Sequence, residues 1–443
     1  MGFGQMEVRQ VVNLGGRWYL LLGSAPGPGV PDGATRGPSR SFPTALSESA
    51  SPSDCHMATT RWTREHLTAI VDDPSTYTPA IGAASARMAP DTDFWDLWPV
   101  REPDGTVAAP CGAQIWAGLS APAVGHPGSR HAVARIRLVM LDRDGWADLG
   151  PLFPDGASPG SREWAGCLVL EPGTGTLSAY YTAAGERGEP TSTFRQRVMG
   201  AVAALRCVSG RPEITGWSVH RELVVADGVR YLPAVQATGE PGFIKAFRDP
   251  FYFSDPATRQ AYLLVTASLQ DSTSEFNGCI GIARARSADT SEWELLDPLV
   301  TADAVNNELE RPHVVVRDGR YYLFFSTQRR TFHPDVSAPT GLYGFVGPTV
   351  LGPYEPLNGS GLVLRNPPEE PFQAYSWLVL NDLRTVGFVD WYALHGHHPD
   401  DLEAEGEASV RRHFGGTMTP VMQLGVDGDR AWIAEVDTSL SNS

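Results

Sequence analysis

Val314-Val-Val-Arg-Asp-Gly-Arg-Tyr-Tyr-Leu-Phe-Phe325 is two apolar runs joined by Asp318-Gly319. An Asp-Gly pair between β-branched and aromatic residues is the strongest short-range sign of a tight hairpin, because such turns require positive φ. Asp227-Gly228 and Asp427-Gly428 also sit between apolar stretches, and each reads as a hairpin. Leu168-Val-Leu170 and Leu177-Ser-Ala-Tyr-Tyr-Thr182 flank a Gly-Thr-Gly turn, and residues 133–141 partly alternate in polarity. Residues 63–73 read as a short helix with Leu67, Ile70 and Val71 on its apolar side. Hairpin signals then recur to the end of the chain with few credible long helices between them. That pattern predicts an all-β fold of radially repeated sheets, a β-propeller, which leaves only short, protected edges. A pair of sandwiches is the plainer alternative, and the hairpins alone do not count blades.

The bulk numbers agree with this class. In 443 residues there are 46 Gly and 36 Pro, which favours a loop-rich β architecture. Hydrophobic content of 42% with 19% charged residues describes a soluble globular chain long enough for a large core. A net charge of -16 argues against nucleic acid and against anionic lipid, both of which need a basic face. A neutral small-molecule partner suits it. No apolar run reaches the roughly 18 residues that span a bilayer, and no secretory signal is readable at the N-terminus. Five scattered cysteines, an odd number, predict neither a metal knuckle nor a disulfide framework.

Residues 1–56 differ from the rest. A strand-like Gly15-Gly-Arg-Trp-Tyr-Leu-Leu-Leu22 precedes a Pro/Gly/Ser/Ala-rich stretch, a composition that rarely packs a core. They read as a flexible, dispensable extension, or as residues preceding a natural start at Met57, with 57–443 as a single catalytic domain. Two motifs are set aside. Gly156-Ala-Ser-Pro-Gly160 matches a nucleophile elbow, but it lies in a Pro/Gly loop, and the pattern has meaning only between strand and helix. His395-Gly-His-His398 reads as a solvated tract, so no metal and no cofactor is implied.

Three acidic stretches stand out from ordinary surface charge: Trp95-Asp-Leu-Trp-Pro99, Arg248-Asp-Pro250 and Glu308-Leu-Glu-Arg-Pro312. Alone, each has a plain explanation as a capped corner, a salt-bridged turn or a solvated strand face. Together they describe carboxylates among large apolar rings, the character of a sugar-binding hollow. In an extended segment Glu308 and Glu310 share one side, so their repulsion needs an offset, for which Arg311 is adjacent.

With these stretches in order, the chain resembles glycoside hydrolase family 68, the levansucrases, inulosucrases and related β-fructofuranosidases, from about Arg61 to Trp432. Further matches are Arg61-Trp-Thr-Arg64, Glu163-Trp-Ala-Gly166, Gly341-Leu-Tyr-Gly-Phe-Val-Gly347 and Gln373-Ala-Tyr-Ser376. The resemblance implies a five-bladed β-propeller with an axial funnel, and a retaining fructosyltransferase acting on sucrose, levansucrase first. A sucrose-hydrolysing β-fructofuranosidase and a non-catalytic carbohydrate-binding propeller are the alternatives. It implies Asp96 as nucleophile, Glu310 as general acid/base, and Asp249 as transition-state stabiliser, kept ionised by Arg248. Trp95, Trp164, Arg248, Glu308, Arg311, Gln328 and Tyr375 fall at substrate-contacting positions, with sucrose and fructan or sugar acceptors as the partners. The family is usually extracellular. Several positions depart from its pattern: Ala165 for a common serine, Thr266 near a glutamate, Gln328 for arginine or histidine, and Trp377 for histidine. Asn307 replaces the aspartate of calcium-binding relatives.

Overall fold

The computed structural model describes residues 6–13, 18–24, 59–82, 86–235 and 238–436. Five antiparallel meanders follow one another along the chain. Sheet I runs through Thr92–Arg101, Gln114–Pro122, Arg135–Asp142 and Gly145–Pro151. Sheet II uses Arg162–Glu171, Thr176–Ala184 and Gln196–Val208, the last also pairing Arg211–Thr215 and Arg221–Val224. Sheet III comprises Phe247–Ser254, Ala261–Ser268 and Gly278–Ala285, with Trp293–Leu295 and Val300–Thr301 on its outer side. Sheet IV is built on Glu310–Arg317, Arg320–Thr327 and Gly341–Gly347. Sheet V holds Ala374–Val379, Arg384–Trp391, Phe414–Met418, Met422–Asp427 and Arg430–Val436.

The first strand of each meander lies against the first strand of the next, and the first two strands of sheet V return to Thr92–Arg101 of sheet I. The sheets therefore close into a ring, with the five first strands innermost. This is the propeller arrangement expected. Sheets I and II are also joined by a short parallel pairing, Val100 and Arg101 with Leu168 and Val169. Between sheets III and IV the short segment 60–62 acts as a wedge. Thr60–Arg61 pairs parallel with Val300–Thr301, while Trp62 packs edge-on against Phe325, Phe332 and Phe345. The Arg-Trp-Thr-Arg motif is thus a packing device.

Asp318-Gly319 forms the expected two-residue hairpin, with Arg317 opposite Arg320 and both turn residues at positive φ, 51° and 73°. Asp427-Gly428 also lies at a hairpin, between Met422–Asp427 and Arg430–Val436. Asp227-Gly228 does not. Its carboxylate accepts from the backbone N–H groups of Val229, Arg230 and Tyr231, an Asx-type turn outside any strand pair. The helix expected over 63–73 is confined to Arg64–Thr68, and Val71 is exposed. Pro74 opens a separate turn of 3-10 helix, Pro74–Thr76.

The cysteine expectation is corrected. Cys111, in the turn before the second strand of sheet I, is bonded to Cys207 in the third strand of sheet II. Cys167 and Cys279 are free and buried. In the N-terminal stretch Met6–Asn13 pairs with Trp18–Ser24, which covers residues 18–22 of the expected strand; residues 15–17 and the Pro/Gly/Ser-rich segment lie outside the described residues. No helix among the described residues is long and apolar enough to cross a membrane.

Candidate active site

The innermost strands share a local defect. In every sheet the pairing of first and second strands skips a register: between Trp95 and Trp98, Trp164 and Gly166, Arg248 and Phe251, Glu310 and His313, Tyr375 and Leu378. Such bulges break the in-out alternation and re-aim side chains. At four of them a non-glycine residue takes the left-handed conformation: Asp96 (φ 51°), Asp249 (φ 56°), Arg311 (φ 52°) and Ser376 (φ 57°). That geometry costs about 1–3 kcal/mol per residue and persists only where the surroundings hold it. Here they do. Asp249 N–H donates to Thr182 Oγ1 at 2.9 Å, and Arg311 N–H donates to Thr266 Oγ1 at 3.0 Å. Pro250 and Pro312 follow two of these residues, where a missing N–H costs the ladder nothing.

The bulges open on a hollow of about 400 Å³ that brings together Trp95, Asp96, Trp164, Arg248, Asp249, Glu308, Glu310, Arg311, Gln328 and Tyr375. Every residue given a catalytic or substrate-contacting role above lines it. Two corrections concern the apolar wall. Trp98, the second indole beside Asp96, is absent from the lining and lies beneath the Arg311 guanidinium, 5.9 Å away. Trp377, which stands where histidine is common in the family, is wholly buried behind Tyr375. The wall consists instead of Trp95, Trp164 and Phe194, the last two edge-to-face at 5.9 Å.

Four carboxyl groups share two guanidinium groups on the floor. Arg248 donates through Nη2 to Glu308 Oε2 and, at 2.9 Å, to Glu310 Oε1, while its Nε lies 3.4 Å from Asp249 Oδ2. Arg248, rather than Arg311, therefore offsets the Glu308–Glu310 repulsion. Arg311 spends its donors on the scaffold: Nη1 to Ser376 O and Oγ (2.9 and 2.7 Å), Nη2 to Leu97 O (2.7 Å). It ties sheet IV to sheets I and V beneath Asp96. Tyr375 Oη donates to Glu310 Oε2, and Thr266 Oγ1 donates to Asp249 Oδ2 at 3.0 Å. Thr266 does not itself line the hollow and acts from behind it, through Asp249 and Arg311.

Burial dominates the electrostatics. It raises the Asp96 carboxyl above its usual range, against the charge of Arg311 and a hydrogen bond from Ser376. Asp249 is pushed up to about 7 by burial, opposed by Arg248 and reinforced by Glu310 and Asp96. Arg248 favours the Asp249 carboxylate, as its charge leads one to expect, but burial outweighs it, and that one guanidinium is divided among Glu308, Asp249 and Glu310. Glu308 is raised by burial and by Glu310, and Tyr375 is raised well above its usual value, so its hydroxyl stays a donor.

Sequence reasoning missed one side of the hollow, formed by Arg130, His131, Lys245, Arg330 and Asp390. Arg130 and His131 belong to a turn of 3-10 helix, Pro127–Ala132, and Asp390 to the second strand of sheet V. Only the acid beside an indole, Asp390-Trp391, repeats a signal that had marked Asp96. The rejected motifs stay apart. Gly156-Ala-Ser-Pro-Gly160 connects two strands with no helix after it, and Ser158 is buried. His398 caps Pro399–Glu403 through a bond from Asp400 N–H, and Asn307 is occupied by Gly242 N–H and Glu275 O.

Carboxyls on facing strands of one hollow, one hydrogen-bonded by a phenol and another backed by a threonine, suit displacement at a sugar acetal. Known proteins point the same way. Levansucrase LscC of Pseudomonas savastanoi pv. glycinea is 31% identical over 420 residues, covering 85% of this chain and 91% of its own. The solved inulosucrase from Halalkalicoccus jeotgali bound to kestose is 41% identical with a TM-score of 0.80, covering 86% of this chain and 96% of its own. The levansucrase structure from Gluconacetobacter diazotrophicus is 25% identical with a TM-score of 0.70, over 85% and 90%. A family model described as levansucrase/invertase matches residues 52–275 and 268–439. By that match the chain belongs to the levansucrase/invertase family, glycoside hydrolase family 68.

Proposed function

We propose that this chain is a retaining fructosyltransferase acting on sucrose through a covalent fructosyl-enzyme. The observation that carries the reading is the convergence of Asp96, Asp249 and Glu310, from sheets I, III and IV, on one hollow. Asp96 is the nucleophile. Its carboxylate attacks the anomeric carbon of the fructosyl unit, the bond to the glucosyl oxygen breaks, and Glu310 gives that oxygen its proton. Glu310 Oε1 and Oε2 are steered by Arg248 and Tyr375. In the second step Glu310 takes a proton from the acceptor hydroxyl, whose oxygen displaces Asp96. Asp249 holds fructosyl hydroxyls while positive charge develops on the ring.

The relatives named above carry both levan-type and inulin-type labels. Both activities need the same first step, and the acceptor bound over Gln328 and its neighbours separates them. Gln328 is itself engaged, its Oε1 accepting from Arg330 Nε at 2.8 Å. Levansucrase activity is the reading adopted. The five meanders are read as the blades of a five-bladed propeller, on the support of their ring of contacts, and residues 57–443 as its catalytic unit.

The test is incubation with sucrose while free glucose and free fructose are followed. Transfer predicts glucose in excess of fructose, with fructan or kestose-type products making up the difference. Equal release would make water the principal acceptor, and no consumption of sucrose would remove the reading.

A further inference from the structure

Where sheet V meets sheet I, Asp390 and Arg130 face one another across the wall of the hollow. Asp390 sits at a second bulge, between Val389 and Trp391, where its strand loses register with Phe414–Met418. The same kind of defect presents Asp96 and Asp249. The Arg130 guanidinium lies over two rings, Trp95 at 5.4 Å and Phe414 at 4.9 Å, with Nη1 bonded to Pro127 O. Its position is therefore set by packing rather than by Asp390. Arg130 Nη2 and Asp390 Oδ1 are 3.6 Å apart, too far for a hydrogen bond. Asp390 Oδ1 and Arg130 Nε are both buried with no partner. Buried polar atoms are normally satisfied, so two on one wall of a lined hollow suit a ligand group that both donates and accepts. A sugar hydroxyl does this. Its O–H donates to the carboxylate while its oxygen accepts from the guanidinium.

Resting on the sucrose reading, we propose that Asp390 and Arg130 form a clamp for one hydroxyl of the fructosyl ring. The ring is the fructosyl one because the Arg130 guanidinium lies over Trp95, the residue next to Asp96, in the hollow that Asp390 also lines. Trp95, beneath Arg130, carries an equally unpartnered Nε1 and extends the same polar edge. The clamp makes the site selective for the donor without taking part in bond breaking.

The experiment uses sucrose analogues, each lacking one fructosyl hydroxyl, with the unmodified protein and with Asp390→Asn. In the unmodified protein one analogue is expected to lose at least about tenfold in kcat/KM, as a site built to bind a hydroxyl rejects its absence. In Asp390→Asn, KM for sucrose is expected to rise about tenfold with a smaller change in kcat, and the penalty for that analogue to collapse. A merely structural role would slow all donors alike and leave the penalty in place. If Asp390→Asn folds poorly, Arg130→Lys is put through the same analogue series, and the same penalty is expected to collapse. If no single hydroxyl matters by more than about twofold, or the penalty persists in Asp390→Asn, the clamp is wrong while the sucrose reading stands. If sucrose is not consumed at all, both fall.

Discussion

Asp249 is where burial and pairing compete most directly. Its carboxyl is raised from 3.8 to about 7, so the folded chain holds a proton that the unfolded chain releases. The stability it contributes is full below about pH 4 and is lost as pH rises through about 7, a term on the order of 4 kcal/mol. Asp249→Asn should therefore flatten the fall in Tm between pH 4 and pH 7 while abolishing turnover. A Tm profile identical to that of the unmodified protein would count against the assignment. Glu310→Gln should lower sucrose cleavage by at least about a hundredfold, the usual share of a general acid. It should be partly rescued on donors with an acidic leaving group that needs no proton; equal loss on both would argue for a structural part. The three acids were legible because each lies within two residues of a proline or an aromatic residue and their stretches match the family's motifs in order. Arg130 and Asp390 were not, because their meaning depends on the closure that brings them together.

At the level of elements, the alternating strands and the Asp318-Gly319 turn were readable from apolar periodicity and turn chemistry. The Asp227-Gly228 reading failed because that carboxylate caps its own loop and no strand returns beside it. The five bulges were invisible, since a bulge is defined by what lies opposite it. They nevertheless make the site, and Thr266 supports two of them at once, accepting from Arg311 N–H and donating to Asp249. Thr266→Val keeps the shape and removes both bonds. It should cost about 2–3 kcal/mol in unfolding free energy, through a buried N–H left unpaired, and should reduce kcat more than it changes KM. An unchanged denaturant midpoint would show that the bulges are held by other contacts.

At the scale of the molecule, the ring is closed by strand contacts and pinned between sheets I and II by Cys111–Cys207, 96 residues apart. Cysteine spacing did not reveal the bond, because neighbours around a ring are remote in sequence. Neither cysteine lines the hollow. Reduction, or Cys111→Ser with Cys207→Ser, should lower stability by about 2–4 kcal/mol and leave kcat at low temperature unchanged. A loss of activity at full folding would show the bond shaping the site. A chain beginning at Met57 should match the full chain in sucrose turnover; loss of folding on that truncation would give residues 1–56 a structural part.

The central claim is a covalent bond between Asp96 and a fructosyl unit. Acid quenching during sucrose turnover, followed by peptide mass analysis, measures it directly. The account predicts one added anhydrohexose on the peptide containing Asp96, absent in Asp96→Asn. Turnover with the sugar on another carboxylate, or undiminished in Asp96→Asn, would contradict it.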